Sequence, residues 1–285
     1  MEKVLLTPQQ SAFMDLFGFL VFPGLLSDRI GRITEEFEEI FERTGGHHGV
    51  AHDGTRRSCI VPFIDQSEYL SSLLDDPRVD GILSSLLGDD YSYLGSDGNF
   101  YTGHTGWHSD ADFSGESRGT PPRTFYKLAM YLDPVDTDSG ALRVIPGIHR
   151  HGEGFAMGLE QVLRKPLDSL GIGGDQVPAV SLASRPGDVV VFSQAIKHSS
   201  WGGSNRRRMF TINATSRYRP DEVQWLRKEV AALARFWVDG VYGEPMLRTA
   251  GPSRLIHLEQ GLTQDEFLAG EVVKAKAEMS EPARG

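Results

Sequence analysis

Arg185-Pro-Gly-Asp-Val-Val-Val-Phe192 reads as a tight turn that launches a strand. Pro-Gly-Asp supplies the turn, and the apolar run behind it is too short for a helix and rich in β-branched residues. Working outward, the same pattern of short β-type runs between turn residues recurs at 91–94, 99–102, 124–132, 141–145 and 209–215. Helical crossovers are missing between most of these runs, which argues against a parallel α/β sheet. The pattern predicts a mainly β protein with flanking helices, built on a jelly-roll core at about 91–216.

The segment before the core predicts a helical layer over about 1–90. Thr7 caps a helix through Phe17, Pro8 suits its first position and Gly18 ends it. Phe19-Leu-Val-Phe22 is a short strand, Ser27 opens an amphipathic helix to about Arg43, and Glu68 to Leu87 forms another that stops at Gly88. Residues 45–57, rich in Gly and His, predict a loop. Beyond the core, 217–285 forms a helical extension that begins with a helix over 221–236 and frays over its last dozen residues. No repeat or low-complexity linker divides the chain, so a single domain over 1–285 is expected.

Composition removes several function classes. A formal net charge of −10, from 29 Lys and Arg against 39 Asp and Glu, speaks against a nucleic-acid binder. The Arg56-Arg57 and Arg206-Arg207-Arg208 clusters remain candidates for a small anion. One cysteine, Cys59, cannot build an intrachain disulfide or a Cys-rich metal site, so any metal must use His and carboxylates. No stretch has the length and apolarity of a membrane span, and the first twenty residues lack a signal-peptide pattern, so a cytoplasmic protein, monomer or homodimer, is expected.

His-x-carboxylate occurs three times, at His108-Ser-Asp110, His151-Gly-Glu153 and His257-Leu-Glu259. With this many His and acidic residues about one match arises by chance, so context must separate them. His257 is the last histidine and cannot open a motif that a later one completes. His151 sits among glycines in a long loop, a poor support for a ligand. His108 follows a strand-like run and a Gly-His-Thr-Gly turn, and in an extended segment residues i and i+2 share a side, so His108 and Asp110 face one way while Ser109 points away. His198, just beyond the 185–192 turn and strand, is the candidate third ligand. Singly, each of these residues is more often a hydrogen-bonded or solvated side chain. Together, two His and one carboxylate leave metal positions open, as iron(II) requires when it binds a cosubstrate and dioxygen, whereas a closed structural zinc site wants four ligands.

Arg207 begins the alternating run 207–215, and an inward arginine on the strand after a metal-binding His can grip a dicarboxylate by its far end. A basic surface turn is the alternative for at least one of the three arginines.

Trp107-His-Ser-Asp110, Gly140-Ala-Leu-Arg-Val-Ile-Pro-Gly147 with His149, Pro186-Gly-Asp-Val-Val-Val-Phe192, and His198-Ser-Ser200 followed by Arg207 resemble, in order over roughly residues 5–213, the phytanoyl-CoA dioxygenase-like iron(II)/2-oxoglutarate oxygenases. The resemblance implies a double-stranded β-helix, cupin-like core, iron(II) held by His108, Asp110 and His198, and 2-oxoglutarate and O2 as cosubstrates, with succinate and CO2 released. It implies an arginine for 2-oxoglutarate, for which the count back from the end of the last strand selects Arg207 over Arg208, and a hydroxyl contact from Ser200. Lys127 shares a strand side with Ala129 and Tyr131 and is a candidate for a 2-oxoglutarate carboxylate, against the reading of a strand-edge lysine. Asn99 is a candidate of the same kind. Related halogenases lack the carboxylate ligand; Asp110 is present, which favours hydroxylation or another oxidation.

Family membership does not choose a substrate. His104, Trp107, Phe113 and Trp201 are candidate pocket residues, with barrel core as the alternative reading. Arg118, Arg123 and Arg143 are candidates for an anionic substrate, against ordinary surface arginines. The acidic chain disfavours a bulky polyanion such as a CoA ester, so a small molecule or secondary metabolite is expected. Two other classes stay open: a non-catalytic jelly-roll binding or sensing protein, and a cupin-like metalloenzyme that uses no 2-oxoglutarate, for which His47, His48 and His52 are the clustered histidines.

Overall fold

The computed structural model describes residues 3–46, 50–110, 123–150 and 153–283. Its strands are β1 (Phe19–Phe22), β2 (Ser58–Ile60), β3 (Ser92–Gly95), β4 (Gly98–Tyr101), β5 (Thr105–His108), β6 (Phe125–Tyr131), β7 (Leu142–Val144), β8 (Val180–Leu182), β9 (Val189–Ser193), β10 (His198–Ser200) and β11 (Arg207–Thr215). The larger sheet runs β1-β9-β6-β11-β4-β2, with β3 also on β11, and the smaller runs β5-β10-β7-β8. Every pair is antiparallel. The two sheets face each other as a jelly roll with flanking helices, as expected. Two strands, β1 and β2, come from before residue 91, so the sheets draw on more of the chain than 91–216.

Period-two alternation explains how the larger sheet serves two layers. On its outer side Leu128, Met130, Val189, Val191, Phe210 and Ile212 pack with helical residues such as Ile33, Phe37 and Ile40. On its inner side Ala129, Tyr131, Val190, Phe192 and Met209 meet Leu142, Val144 and Leu182 of the smaller sheet. Because helices cover the outer face, both sides of these strands are apolar, and burial of both holds the sheet rigid behind the inner cavity.

The helices are α1 (Pro8–Phe17), α2 (Ile30–Thr44), α3 (Glu68–Ser71), α4 (Pro77–Leu87), α5 (Glu153–Arg164), α6 (Pro166–Leu170), α7 (Val223–Leu233), α8 (Glu244–Arg248), α9 (Pro252–Leu262) and α10 (Asp265–Glu278). The α1 cap is reciprocal: Thr7 Oγ1 accepts from the Gln10 amide and Gln10 Oε1 from the Thr7 amide. Where one helix was expected over 68–87 there are two, since Pro77 lacks an amide hydrogen and restarts the helix. The chain end does not fray where expected: α10 continues to Glu278 because Leu268 and Val272 are buried. Among the described residues no helix is long and apolar enough to cross a membrane.

Asp76 ties the helical layer together. It caps α4 by accepting from the Arg78 amide and takes the guanidinium groups of Arg78 and Arg29 at 2.7 and 3.1 Å. Burial alone would raise its carboxyl, but Arg78 and then Arg29 outweigh it and hold it at about 2. A depressed carboxyl stabilises the fold above its ordinary range and loses that contribution as pH falls toward 2. Asp76→Ala is expected to lower stability by about 2 kcal/mol at neutral pH. The gap between wild type and variant in thermal melts should close between pH 5 and 2.

Candidate active site

The antiparallel register of β5 and β10 sets His198 directly opposite His108. Their rings lie 4.2 Å apart between centroids, tilted by 53° to one another. Beyond β5 the Asp110 amide donates to the Gln194 carbonyl at 3.0 Å, which turns the chain so that its carboxylate meets both imidazoles. Oδ1 lies 3.6 Å from His108 Nε2 and Oδ2 lies 3.6 Å from His198 Nε2. One ligand atom from each residue lies within 4.8 Å of the others. The second ring nitrogens are already engaged: His108 Nδ1 with the Gly106 carbonyl at 2.8 Å and His198 Nδ1 with the Ile196 carbonyl at 3.1 Å. Each carbonyl can only accept, so it selects the Nδ1–H tautomer and leaves the Nε2 lone pair for a metal.

The electrostatics suit the same use. Burial pushes His198 down to about 4, so it is neutral at pH 7. Burial would raise the Asp110 carboxyl, but Lys127, His198 and His108 outweigh it and keep it well below the usual carboxylate range. Lys127 Nζ stands 2.9 Å from Asp110 Oδ2. This lysine points inward, as its strand side predicts, and its nearest partner is the putting-in-place carboxylate of the triad. Burial opposes protonation of His108 as well, but the Asp110 carboxylate outweighs it and shifts His108 upward, so a metal at this position would take the place of a proton shared with Asp110. Two imidazoles with Nε2 turned to one point and an ionised carboxylate, with coordination positions left open, fit a divalent iron ion.

Arg207, almost fully buried, faces the same interior. Its Nη2 donates to Ser200 Oγ at 3.1 Å and its Nη1 to the Gly103 carbonyl at 3.3 Å, while its buried Nε has no partner. Gly140 and Gly203 make room for it: a Cβ on either would fall within 2.2 Å of Nη1. Arg208 turns the other way, onto Asp133 and Glu38, and Arg206 also reaches Glu38.

A family model for phytanoyl-CoA dioxygenase (PhyH) matches residues 14–209, well over half of the chain. The chain belongs to this family. It is accordingly an iron(II)- and 2-oxoglutarate-dependent dioxygenase, and the metal-ligand set built above fits that chemistry. Solved structures share the fold. One is the non-haem α-ketoglutarate-dependent carbocyclase SnoK from nogalamycin biosynthesis, at 20% identity and TM-score 0.57, covering 78% of this chain and 90% of that one. HygX from Streptomyces hygroscopicus, with nickel and 2-oxoglutarate bound, gives 16% identity and TM-score 0.59, covering 75% and 89%. EctD from S. alaskensis gives 19% and 0.57, covering 74% and 77%. A comparison with curated proteins finds no match.

In this PhyH-family protein the three candidate ligands, Lys127, Ser200 and Arg207 all line one cavity of about 350 Å³ between the sheets. Asn99 does not. It is fully buried behind the wall, where its amide donates to Asp97 Oδ2 at 2.6 Å and accepts from Arg57 Nε at 2.8 Å. Sequence reading missed Asp97, Thr211, Gln194 and Asn213, which also line the cavity; the period-two side of β11 shared by Arg207 carries Thr211 and Asn213 and would have found both. Arg57, from the Arg56-Arg57 cluster named as an anion candidate, lines the cavity too and lies 4.5 Å over the Tyr101 ring.

The expected aromatic lining is elsewhere. Trp107 donates to the Gly174 carbonyl and packs on Leu163 and Val177, and His104 stacks on Trp201. An odd–even shift explains Trp107: next to an inward His108, it must face out. Phe113 and Arg118 lie outside the described residues, as do His47, His48 and His151. Arg123 is committed to Glu222 and the Ser216 carbonyl, and Arg143 to the carbonyls of Asp175 and Val177, so neither offers charge to a substrate. His52 is spent on Ser58 and the Asn205 carbonyl, and His257 stacks on Tyr91 and bonds its carbonyl.

Removing a ligand should remove the metal. Asp110→Ala or His198→Ala is expected to weaken iron(II) binding by more than about a hundredfold in calorimetric titration. A His257→Ala control, whose residue belongs to a chance match of the tripeptide, should bind iron as wild type does.

Proposed function

We propose that the protein oxidises a small molecule, most simply by hydroxylation, with iron held by His108, Asp110 and His198 and 2-oxoglutarate stretched from the metal toward Arg207. The observation that carries this reading is Arg207 itself: a buried guanidinium with an unspent Nε, in a cradle of two glycines, on the strand that passes the ligand triad. A planar fork of this kind matches a carboxylate, and Ser200 Oγ adds a hydroxyl beside it. Once loaded, the site supplies coupled oxidation of a substrate C–H bond and decarboxylation of 2-oxoglutarate by dioxygen, with release of succinate and CO2.

The chain's own groups orient and protect. The Gly106 and Ile196 carbonyls fix the imidazole tautomers, and Lys127 holds the Asp110 carboxylate ionised and aimed at the metal position. Lys127 is the second candidate for a 2-oxoglutarate carboxylate, since it stands inside the cavity beside the metal ligands. The apolar inner residues Leu142, Phe192 and Met209 keep water from the reacting centre. A cavity of about 350 Å³ matches the lower end of small-molecule sites, about 300 to 1,000 Å³. HygX has been solved with hygromycin B bound, a small-molecule ligand on a similar fold.

Arg207→Met should raise the 2-oxoglutarate dissociation constant by at least about tenfold, read from the visible band of the anaerobic iron(II) chelate, whereas Arg208→Met leaves it unchanged. Gly203→Ala, which leaves every polar group in place but displaces the guanidinium, should weaken the same binding in the same direction. Equal behaviour of the two arginine variants would refute the assignment.

A further inference from the structure

The cavity has two unequal ends. Arg207, Met209, Thr211 and Asn213 line it from the inward side of β11, over six residue steps that span about 20 Å of strand. The Arg207 end is closed by Ser200, Tyr131 and Leu142. Past Asn213, which meets Gly95 across β3, the wall passes to the C-terminal extension. There Glu229, Ala232, Leu233 and Phe236 line the cavity, at the i, i+3, i+4, i+7 spacing of one helical stripe along α7 and the turn after it. This wall lies beyond residue 209, where the match to the family model ends.

Charge is not balanced evenly along the cavity. Three carboxylates line it among the described residues: Asp97, Asp110 and Glu229. Asp110 is paired with Lys127 and the two histidines. Asp97 accepts from Thr211, Asn99 and Arg57. Glu229 makes no hydrogen bond or ion pair among the described residues, although it is only partly accessible. Burial pushes its carboxyl up from the ordinary range, with Lys228 opposing. Arg235, on the same wall, is exposed and lies over the Phe236 ring, so its charge is met by solvent. A half-buried carboxylate without a partner is costly, and a ligand cation relieves that cost more than a neutral donor does.

We propose that the substrate carries a positively charged nitrogen and that Glu229 receives it at the far end of the cavity from Arg207. The α7 wall thereby sets substrate charge, while the barrel sets the chemistry. This inference rests on the reading of the cavity as the oxidation site, and it goes beyond it by naming the substrate class.

Small primary amines, their N-acetyl derivatives and the matching carboxylic acids are the probes. Each is titrated calorimetrically into the protein loaded anaerobically with iron(II) and 2-oxoglutarate, and again into the metal-free protein. Amines are expected to bind, with N-acetyl derivatives and acids at least about tenfold weaker. Glu229→Gln should lose that preference, with 2-oxoglutarate binding unchanged, and Glu229→Asp should keep most of it. Indifference to N-acetylation, binding of acids in place of amines, no binding by any amine, or an unchanged preference in Glu229→Gln would each overturn the proposal. Amine binding that depends on Glu229 in a protein unable to bind 2-oxoglutarate would instead refute the oxygenase reading and leave Glu229 as the amine site.

Discussion

The pairing of His198 with His108 across β10 and β5 is the constraint on which the site depends. In an antiparallel ladder the residues opposite each other point the same way, so one register choice brings two imidazoles side by side. A slip of one residue would send one of them to the outer face, where Trp107 and Ser199 now lie. The register is held from both sides, by β7 on the far edge of β10 and by the Asp110 amide on the Gln194 carbonyl. Neither strand is long, with three and four residues, so the neighbours and not strand length enforce the register.

Around this pair the cavity wall carries charged side chains shielded from solvent, and each is placed by a specific partner. Lys127 and Arg207 would be expensive to bury alone. Lys127 is offset by Asp110 and by the more distant Asp97, which together raise its affinity for a proton despite burial. Arg207 keeps unspent donors, which is costly in a resting protein and useful in one that must receive an anion. The rigid outer core behind β6, β9 and β11 makes such an arrangement affordable, because those strands are packed on both faces and cannot relax to solvate the charges.

Much of this was legible in the sequence, and the reasons are local. The 185–192 turn and strand follow from Pro-Gly-Asp and a β-branched run, and Gly187 does adopt a positive φ of 99°. That His108 and Asp110 share a side follows from their two-residue spacing, and that Arg207 and not Arg208 turns inward follows from its place counted back along the last strand. What sequence could not deliver was non-local. Asn99 sits on a strand facing the right region, yet its amide is consumed by Asp97 and Arg57, which only the folded arrangement brings together. Glu229 lies far from every motif in sequence and reaches the cavity because α7 packs over the open end, while Arg57, readable only as half of a basic pair, is brought there because β2 pairs with β4. Arg123 and Arg143 looked available for a substrate because a sequence does not reveal which carbonyls and carboxylates have already claimed them.

The most direct test of the account is a crystal structure of the protein grown anaerobically with iron(II) and 2-oxoglutarate. The account predicts one metal ion bonded to Nε2 of His108, Nε2 of His198 and the Asp110 carboxylate, with the far carboxylate of 2-oxoglutarate on Arg207 and Ser200. A metal bound by other side chains, or 2-oxoglutarate lying at the Glu229 end with Arg207 untouched, would contradict it.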